Sequence, residues 1–210
     1  MKAPRGRQMG PPLVLCAIFG YLLGSIPNGM IVAGLKGVDL TQVGSRRTGA
    51  TNVLRVVGPG PAALVFAADF AKGVAAVLVA RALANGDPWA QVVAASTAVL
   101  GHSYSPFIGF RGGRGVVTAM GGLAVIQPEI ALFGFLVGAL AIAATRYVSL
   151  GSITGTVSAG AIGIALVVFA GYPPAYFLYG LLVPLFIVVS HRDNIERLLS
   201  GTERKLGEKA

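Results

Sequence analysis

Long apolar runs separated by short polar islands organise this chain from end to end. Uncharged stretches cover 8–35, 88–110 and 147–191, and 115–145 carries only Glu129. Each exceeds the ~20 residues an α-helix needs to cross a bilayer, and the last has the length for two crossings. The run 61–84 is equally apolar apart from Asp69, Lys72 and Arg81. Proline and glycine punctuate these runs at Gly58-Pro59-Gly60-Pro61, Asn85-Gly86-Asp87-Pro88, Gln127-Pro128 and Gly171-Tyr172-Pro173-Pro174. The pattern predicts helices over 13–35, 61–84, 88–107, 116–127, 129–145, 152–170 and 175–190.

The segment 115–145 reads either as one long kinked span or as two spans broken at Pro128. A helix over 116–127 rises only ~18 Å, short of the ~30 Å hydrocarbon core. Parity favours two, because four spans then separate the island before residue 116 from the tail after 190, and both fall on one side. That face collects Lys36, Arg46, Arg47, Arg55, Arg111, Arg114, Arg146, Arg192, Arg197, Arg204, Lys205 and Lys209, 12 of the 17 basic residues. The excess marks it as cytoplasmic, with Lys2, Arg5 and Arg7 on the other side against the trend. The expected fold is an all-α integral membrane protein of about seven transmembrane helices, the fourth short or re-entrant. It forms one membrane domain over 1–210, of which 191–210 is a cytoplasmic amphipathic tail.

Composition narrows the partners. With 54% hydrophobic and 12% charged residues, the chain is far from the roughly 25% charged average of soluble domains. A net charge of +9 spread between spans orients a membrane protein and attracts anionic lipid and substrates, so nucleic acid is not expected. Cys16 has no second cysteine to pair with and reads as a small lipid-facing or core residue. The first apolar run is too long for a signal peptide and lacks a clear cleavage site, which makes it a retained helix. The 30 glycines suit helices that pack closely in lipid.

Three polar islands carry the chemistry. In the first, Gly44 and Gly49 permit a turn around Ser45, and Thr51, Asn52 and Arg55 follow at helical spacing, so that hydroxyl, amide and guanidinium can converge on an oxyanion. The second, Phe110-Arg111-Gly112-Gly113-Arg114-Gly115, offers backbone N–H groups and a guanidinium to a phosphate. It is not a P-loop, since Gly-x-x-x-x-Gly-Lys-Ser/Thr is absent and no acidic cluster is present to hold Mg²⁺; no metal or cofactor is expected. Nearby His102 reads as structural. In the tail, His191 and Asn194 are three apart and share one helical face, suited to orienting a hydroxyl. Asp69 and Lys72 form an i,i+3 pair inside the second predicted span, where ionisable groups are normally paired.

Taken together these residues resemble the bacterial acyl-phosphate:glycerol-3-phosphate acyltransferases. The matching pieces are Gly24-Ser25-Ile26-Pro27, Gly44-Ser45 with Gly49-Ala50-Thr51-Asn52-x-x-Arg55, Asp69-x-x-Lys72-Gly73, Gly101-His102 with Phe110 to Val116, Ser149-Leu150-Gly151-Ser152, and the tail from His191 through Glu203. The resemblance implies seven transmembrane helices and an active site on the cytoplasmic face of the bacterial plasma membrane. The implied partners are acyl phosphate, glycerol 3-phosphate and membrane lipids; oligomeric state is left open. It assigns Ser45 and Arg55 to a first functional motif, Gly112, Gly113, Arg114 and Gly115 to a phosphate-binding second, and His191, Asn194 and Glu203 to a third, with Ser152 as a substrate contact. Two departures stand out: the family usually reads Gly-Ser-Gly-Asn where this chain has Gly44-Ser45-Arg46-Arg47, and lysine where it has Arg114.

Acyl phosphate is an activated donor, so positioning two anions and stabilising an oxyanion suffices, without an acyl-enzyme. In this reading Arg55 and Asn194 hold glycerol 3-phosphate, the glycine loop with Arg114 holds the donor, and Ser45 and His191 orient the attacking hydroxyl. The proton passes to His191 or to a substrate phosphate; both routes stay open at this level. Two other classes compete. One is an acyl-CoA-dependent acyltransferase, although His191 and Glu196 would stand about 140° apart on a continuous helix. The other is a transporter of a phosphorylated metabolite, although transporters gather their polar groups near the midplane rather than at one face.

Overall fold

The computed structural model describes residues 10–208. The expectations placed on Lys2, Arg5, Arg7 and Lys209 lie outside the described residues. Among the described residues ten α-helices follow one another: α1 (Gly10–Gly24), α2 (Asn28–Gly34), α3 (Ala50–Val56), α4 (Pro59–Leu83), α5 (Pro88–Ser103), α6 (Val116–Ile126), α7 (Pro128–Thr145), α8 (Val148–Ala170), α9 (Ala175–Ser190) and α10 (Arg192–Leu199). All seven predicted apolar segments are helical. The first is interrupted at Ser25-Ile26-Pro27, and the third ends at Ser103, where Pro106–Ile108 forms a 3₁₀ turn instead. α3 and α10 are short helices that carry polar islands.

Among the described residues four helical segments are long and apolar enough to cross a membrane: Pro12–Gly34, Pro59–Leu83, Pro128–Thr145 and Val148–Ala170. A fifth is added if α9 and α10, bent by 60° at His191, count as one. α5 and α6, with 16 and 11 residues, rise about 24 and 17 Å and fall short of a straight crossing. The chain is a multi-pass membrane protein in which α6 is short, as the sequence predicts.

Contacts at the two ends of the bundle show how the chain runs. At one end Arg81, late in α4, donates from Nε to Gln91 Oε1 of early α5 at 2.7 Å and from Nη2 to the Val125 carbonyl near the end of α6. At the other, Arg114 before α6 donates to the Ser190 carbonyl that closes α9 (3.2 Å), and Ser149 at the start of α8 reaches Glu203 in the tail (2.8 Å). α6 therefore runs away from the second end and α7 returns to it. The reversal occurs at Gln127-Pro128, where Pro128 has no N–H to continue the ladder and the Gln127 carbonyl accepts from Ile130 and Ala131 to start α7. The two-segment reading of 115–145 holds.

Small residues face inward and large apolar ones face out: Ala80, Ala90 and Ala94 are buried, while Phe169, Leu140 and Leu185 are exposed. This is the arrangement of a bundle whose outer solvent is lipid. α7 and α8 meet through Gly134 and Gly138 against Gly151 and Gly155, a small-xxx-small pattern on both helices. A Cβ on Gly138 would stand 2.8 Å from the Gly151 carbonyl oxygen, and one on Gly155 would stand 2.5 Å from that of Gly134. Cys16 is buried against Ala80, Ala90 and Ala94, in the core rather than toward lipid.

Gly155→Leu should force α7 and α8 apart. The expected loss is about 1–3 kcal/mol of stability, seen as a lower melting temperature of the detergent-solubilised protein; an unchanged melting temperature would refute the close contact.

Candidate active site

The polar islands meet at the end of the bundle where α5 and α9 finish. The first is a loop closed by its own helix. Asn52, on α3, accepts from the Ser45 N–H through Oδ1 (2.9 Å) and donates from Nδ2 to the carbonyls of Arg47 (2.8 Å) and Val43 (3.3 Å). Both polar atoms of its side chain are thus committed to loop backbone, and Asn52 shapes the turn that presents Ser45. Gly44, at φ 63°, supplies the left-handed step beside it. Arg55, one turn along α3, is half-buried and donates from Nη2 to the Arg204 carbonyl (3.4 Å), tying this island to the tail.

The glycine loop packs on the last turn of α5. A Cβ on Gly112 would strike the His102 carbonyl oxygen, and one on Gly113 would strike His102 Nε2. These two glycines are therefore required by close packing on α5. Gly115, at φ 81°, begins α6. His102 is held in turn with Nδ1 3.6 Å from Asp69 Oδ1, the atom that also accepts from Lys72 Nζ (2.9 Å) and Asn28 Nδ2 (3.0 Å). The Asp69–Lys72 pair expected from sequence is thus the base on which the loop rests.

In the tail, His191 sits at the bend between α9 and α10. Its Nδ1 donates to the Ile187 carbonyl at 2.8 Å, which leaves Nε2 as an acceptor. Burial pushes its imidazole down to about 4; the Ile187 bond opposes this and Arg114 adds to it, so the ring is neutral at pH 7. Two residues past the end of α10, Gly201 turns the chain at φ 71°, and the Thr202 N–H reaches back to the Arg197 carbonyl (2.8 Å). This return places Glu203 beneath three donors: Asn194 Nδ2 (2.6 Å), Ser149 Oγ (2.8 Å) and Arg197 Nε (2.7 Å). Burial alone would raise that carboxyl, but the three donors and the Arg197 charge hold it below the usual glutamate value. Further on, Leu206 and Arg146 exchange two hydrogen bonds, N–H to carbonyl at 2.7 Å and guanidinium to carbonyl at 2.8 Å. These bonds dock the tail on the bundle.

One cavity of about 330 Å³ opens among these groups. Of the site residues predicted from sequence, Ser45, Thr51, Asn52, Arg55, Gly113, Arg114, Gly115, Ser152 and His191 line it. Gly112, Asn194 and Glu203 do not: Gly112 faces α5, and the other two form the separate cluster where α8, α10 and the tail meet. Arg47, Asp69 and His102 line the cavity without having been predicted as site residues. Arg47 also pairs with Asp193 on α10 at 3.6 Å. Burial, with Arg47 and Arg197 nearby, pulls the Arg114 guanidinium down to about 10, still charged at neutral pH. Inward, the lining changes to Leu123, Gly134, Gly155 and Val183, apolar groups from α6, α7, α8 and α9.

A helical membrane protein with a basic pocket that opens into an apolar interior belongs to the class that handles amphiphiles with an anionic end. The sequence profile of the glycerol-3-phosphate acyltransferase family matches residues 14–201, and the chain belongs to that family. The glycerol-3-phosphate acyltransferase of Thermus thermophilus is 49% identical over 193 residues, spanning 92% of this chain and 94% of the relative. That of Aquifex aeolicus is 45% identical, spanning 90% and 96%. A crystal structure of PlsY (YgiH), an integral membrane glycerol 3-phosphate acyltransferase in its glycerol 3-phosphate form, superposes with a TM-score of 0.86 at 45% identity, covering 93% of this chain and 96% of that one. Its lysophosphatidic acid form gives 0.84 at 44% identity, covering 93% and 95%.

Two outcomes are expected. Because His191 titrates near 4 in the folded protein against 6.5 ordinarily, the unfolded chain binds an extra proton between those values, and stability falls as pH is lowered through that window. Melting curves across that range should be flatter for His191→Gln than for the parent protein, and parallel curves would refute the shift. Glu203→Gln removes the partner of Arg197 and should expose the chain beyond Leu199 to limited proteolysis; unchanged cleavage would show that the carboxylate does not hold the tail.

Proposed function

We propose that this protein transfers a fatty acyl group from acyl phosphate to the 1-hydroxyl of glycerol 3-phosphate, releasing phosphate and lysophosphatidic acid, at the cytoplasmic face of a bacterial plasma membrane. The observation that carries the reading is the continuity of one cavity, basic where Arg55, Arg114 and His191 line it and apolar between α6, α7, α8 and α9. A donor with a phosphate end and an acyl tail matches both halves. The face rests on the basic residues gathered at the site end, from Arg46 and Arg47 to Arg204 and Lys205.

In this mechanism Arg114 and the glycine-loop N–H groups other than that of Gly113, which is given to the His102 carbonyl (3.2 Å), hold the donor phosphate, while Arg55 holds that of glycerol 3-phosphate. Ser45 and His191 Nε2 align the 1-hydroxyl toward the acyl carbon. The hydroxyl oxygen attacks the acyl carbonyl carbon, the bond from that carbon to the bridging phosphate oxygen breaks, and phosphate leaves. The proton goes to an oxygen of the departing phosphate, whose second pKa is about 6. Asn194 and Glu203 act by positioning, through the tail that carries His191 into place.

Purified protein given glycerol 3-phosphate should form lysophosphatidic acid from acyl phosphate; transfer from acyl-CoA alone, or uptake of glycerol 3-phosphate into liposomes without a donor, would overturn the reading. Arg114→Ala should raise KM for acyl phosphate by about 10- to 100-fold, the range of a charge-assisted hydrogen bond, with Arg114→Lys falling between. Wild-type kinetics in Arg114→Ala would remove the residue from the donor site.

A further inference from the structure

We propose that Gln127 forms the floor of the apolar cavity and sets the length of the acyl chain that fits, an inference that rests on the acyl-transfer reading above. α6 lines the cavity from Gly115 at its basic mouth through Met120 and Leu123 to Gln127. The 12 steps from Gly115 to Gln127 correspond to about 18 Å of helix. At that depth the other lining groups are Ala131, Gly163 and Tyr179, and Gln127 carries an amide among them.

The side chain is 3% exposed, and its Nε2 has no hydrogen-bond partner. Its Oε1 faces α8, where a Cβ on Gly163 would lie 3.6 Å away. The amide therefore reaches from the α6–α7 break toward α8, and both Gln127 and Gly163 line the cavity there. Its backbone is fixed on both sides, by the bond to the Leu123 carbonyl (2.7 Å) before it and by Pro128 after it. Gly163 matters for the same reason: with nothing larger opposite, the glutamine end fills the gap.

A buried amide with an unpaired donor is costly to hold against a hydrocarbon end. A chain that stops at the floor leaves the amide undisturbed, and a longer one has to displace it. An extended chain advances about 1.25 Å per carbon, the C–C bond length projected on its axis, so about 18 Å admits roughly fourteen carbons.

The test is a series of acyl phosphates of graded length, assayed for kcat/KM with the full protein, its Gln127→Ala variant and its Gln127→Met variant. Truncation to alanine should move the optimum two to four carbons longer and raise kcat/KM for those donors about tenfold, the gain from burying two more methylenes. Gln127→Met, close in volume, should keep the parent optimum. An optimum that does not move in Gln127→Ala, or that moves equally in both variants, overturns the proposal. Alkyl phosphates of the same lengths, which donate nothing, read the cavity separately by thermal shift. If their optimum moves with Gln127→Ala while no acyl phosphate supports transfer, the floor stands and the acyl-transfer reading falls.

Discussion

Helix backbones in this protein touch where glycine leaves them nothing to touch through. Lipid gives no hydrophobic reward for pairing apolar helices, so association rests on van der Waals contact and hydrogen bonds, and both require close approach. The same device recurs through the bundle. Gly20 and Gly24 of α1 lie against the Ala94 and Ala98 carbonyls of α5, and Gly73 of α4 meets the Thr118 carbonyl of α6 while Gly121 of α6 meets that of Phe70. Because α5 is pinned in this way, its last turn is a fixed surface, and the glycine loop packs on that surface at Gly112 and Gly113. Close packing in the membrane and the form of the polar end are one constraint carried from α1 to the site.

Charge at that end is unbalanced, and the imbalance has a direction. Arg47, Arg55, Arg114 and Arg197 crowd a region whose nearby anions are already engaged, Glu203 by Asn194, Ser149 and Arg197 and Asp193 by Arg47. Burial, with repulsion from Arg47 and Arg197, lowers the Arg114 pKa, an electrostatic cost that a phosphate bound as proposed would relieve. Asp69 does not relieve it, because Lys72, Asn28 and His102 surround its Oδ1. A bound anion thus meets cations held in place in advance, which is how positioning alone can serve an activated donor.

The helices were legible because apolar runs and Pro/Gly breaks are local signals, and the reversal at Gln127-Pro128 followed from length and parity. The gathering of the islands at one end was legible for the same reason. What local pattern could not carry was the partner of each polar group. Asn52 reads as an oxyanion donor from its spacing to Arg55, yet its amide is spent on the loop of Ser45. Asn194 and Glu203 read as site residues, yet they meet each other and Ser149, 54 residues away from Glu203 in sequence, outside the cavity. Gly112 and Gly113 read as room for a ligand, and their need is set by His102. Gln127 carried no signal at all, since a lone glutamine before a proline looks like a helix stop until α8 is placed opposite it.

The departure at Arg114 has a geometric consequence. Its Nε is engaged with the Ser190 carbonyl at 3.2 Å, which leaves the two terminal nitrogens for the cavity. A lysine in the same place has one nitrogen on a flexible stem and would have to serve either the end of α9 or a phosphate. With arginine the same side chain joins the glycine loop to α9, one residue before His191, and still presents a planar fork. In the proposed mechanism loop, tail and anion would be coupled through this one guanidinium, since the side chain that would hold the phosphate is bonded to the Ser190 carbonyl next to His191. Lysine keeps the charge but loses this link, so the substitution changes how rigidly the two halves of the pocket are held together rather than whether the pocket is basic.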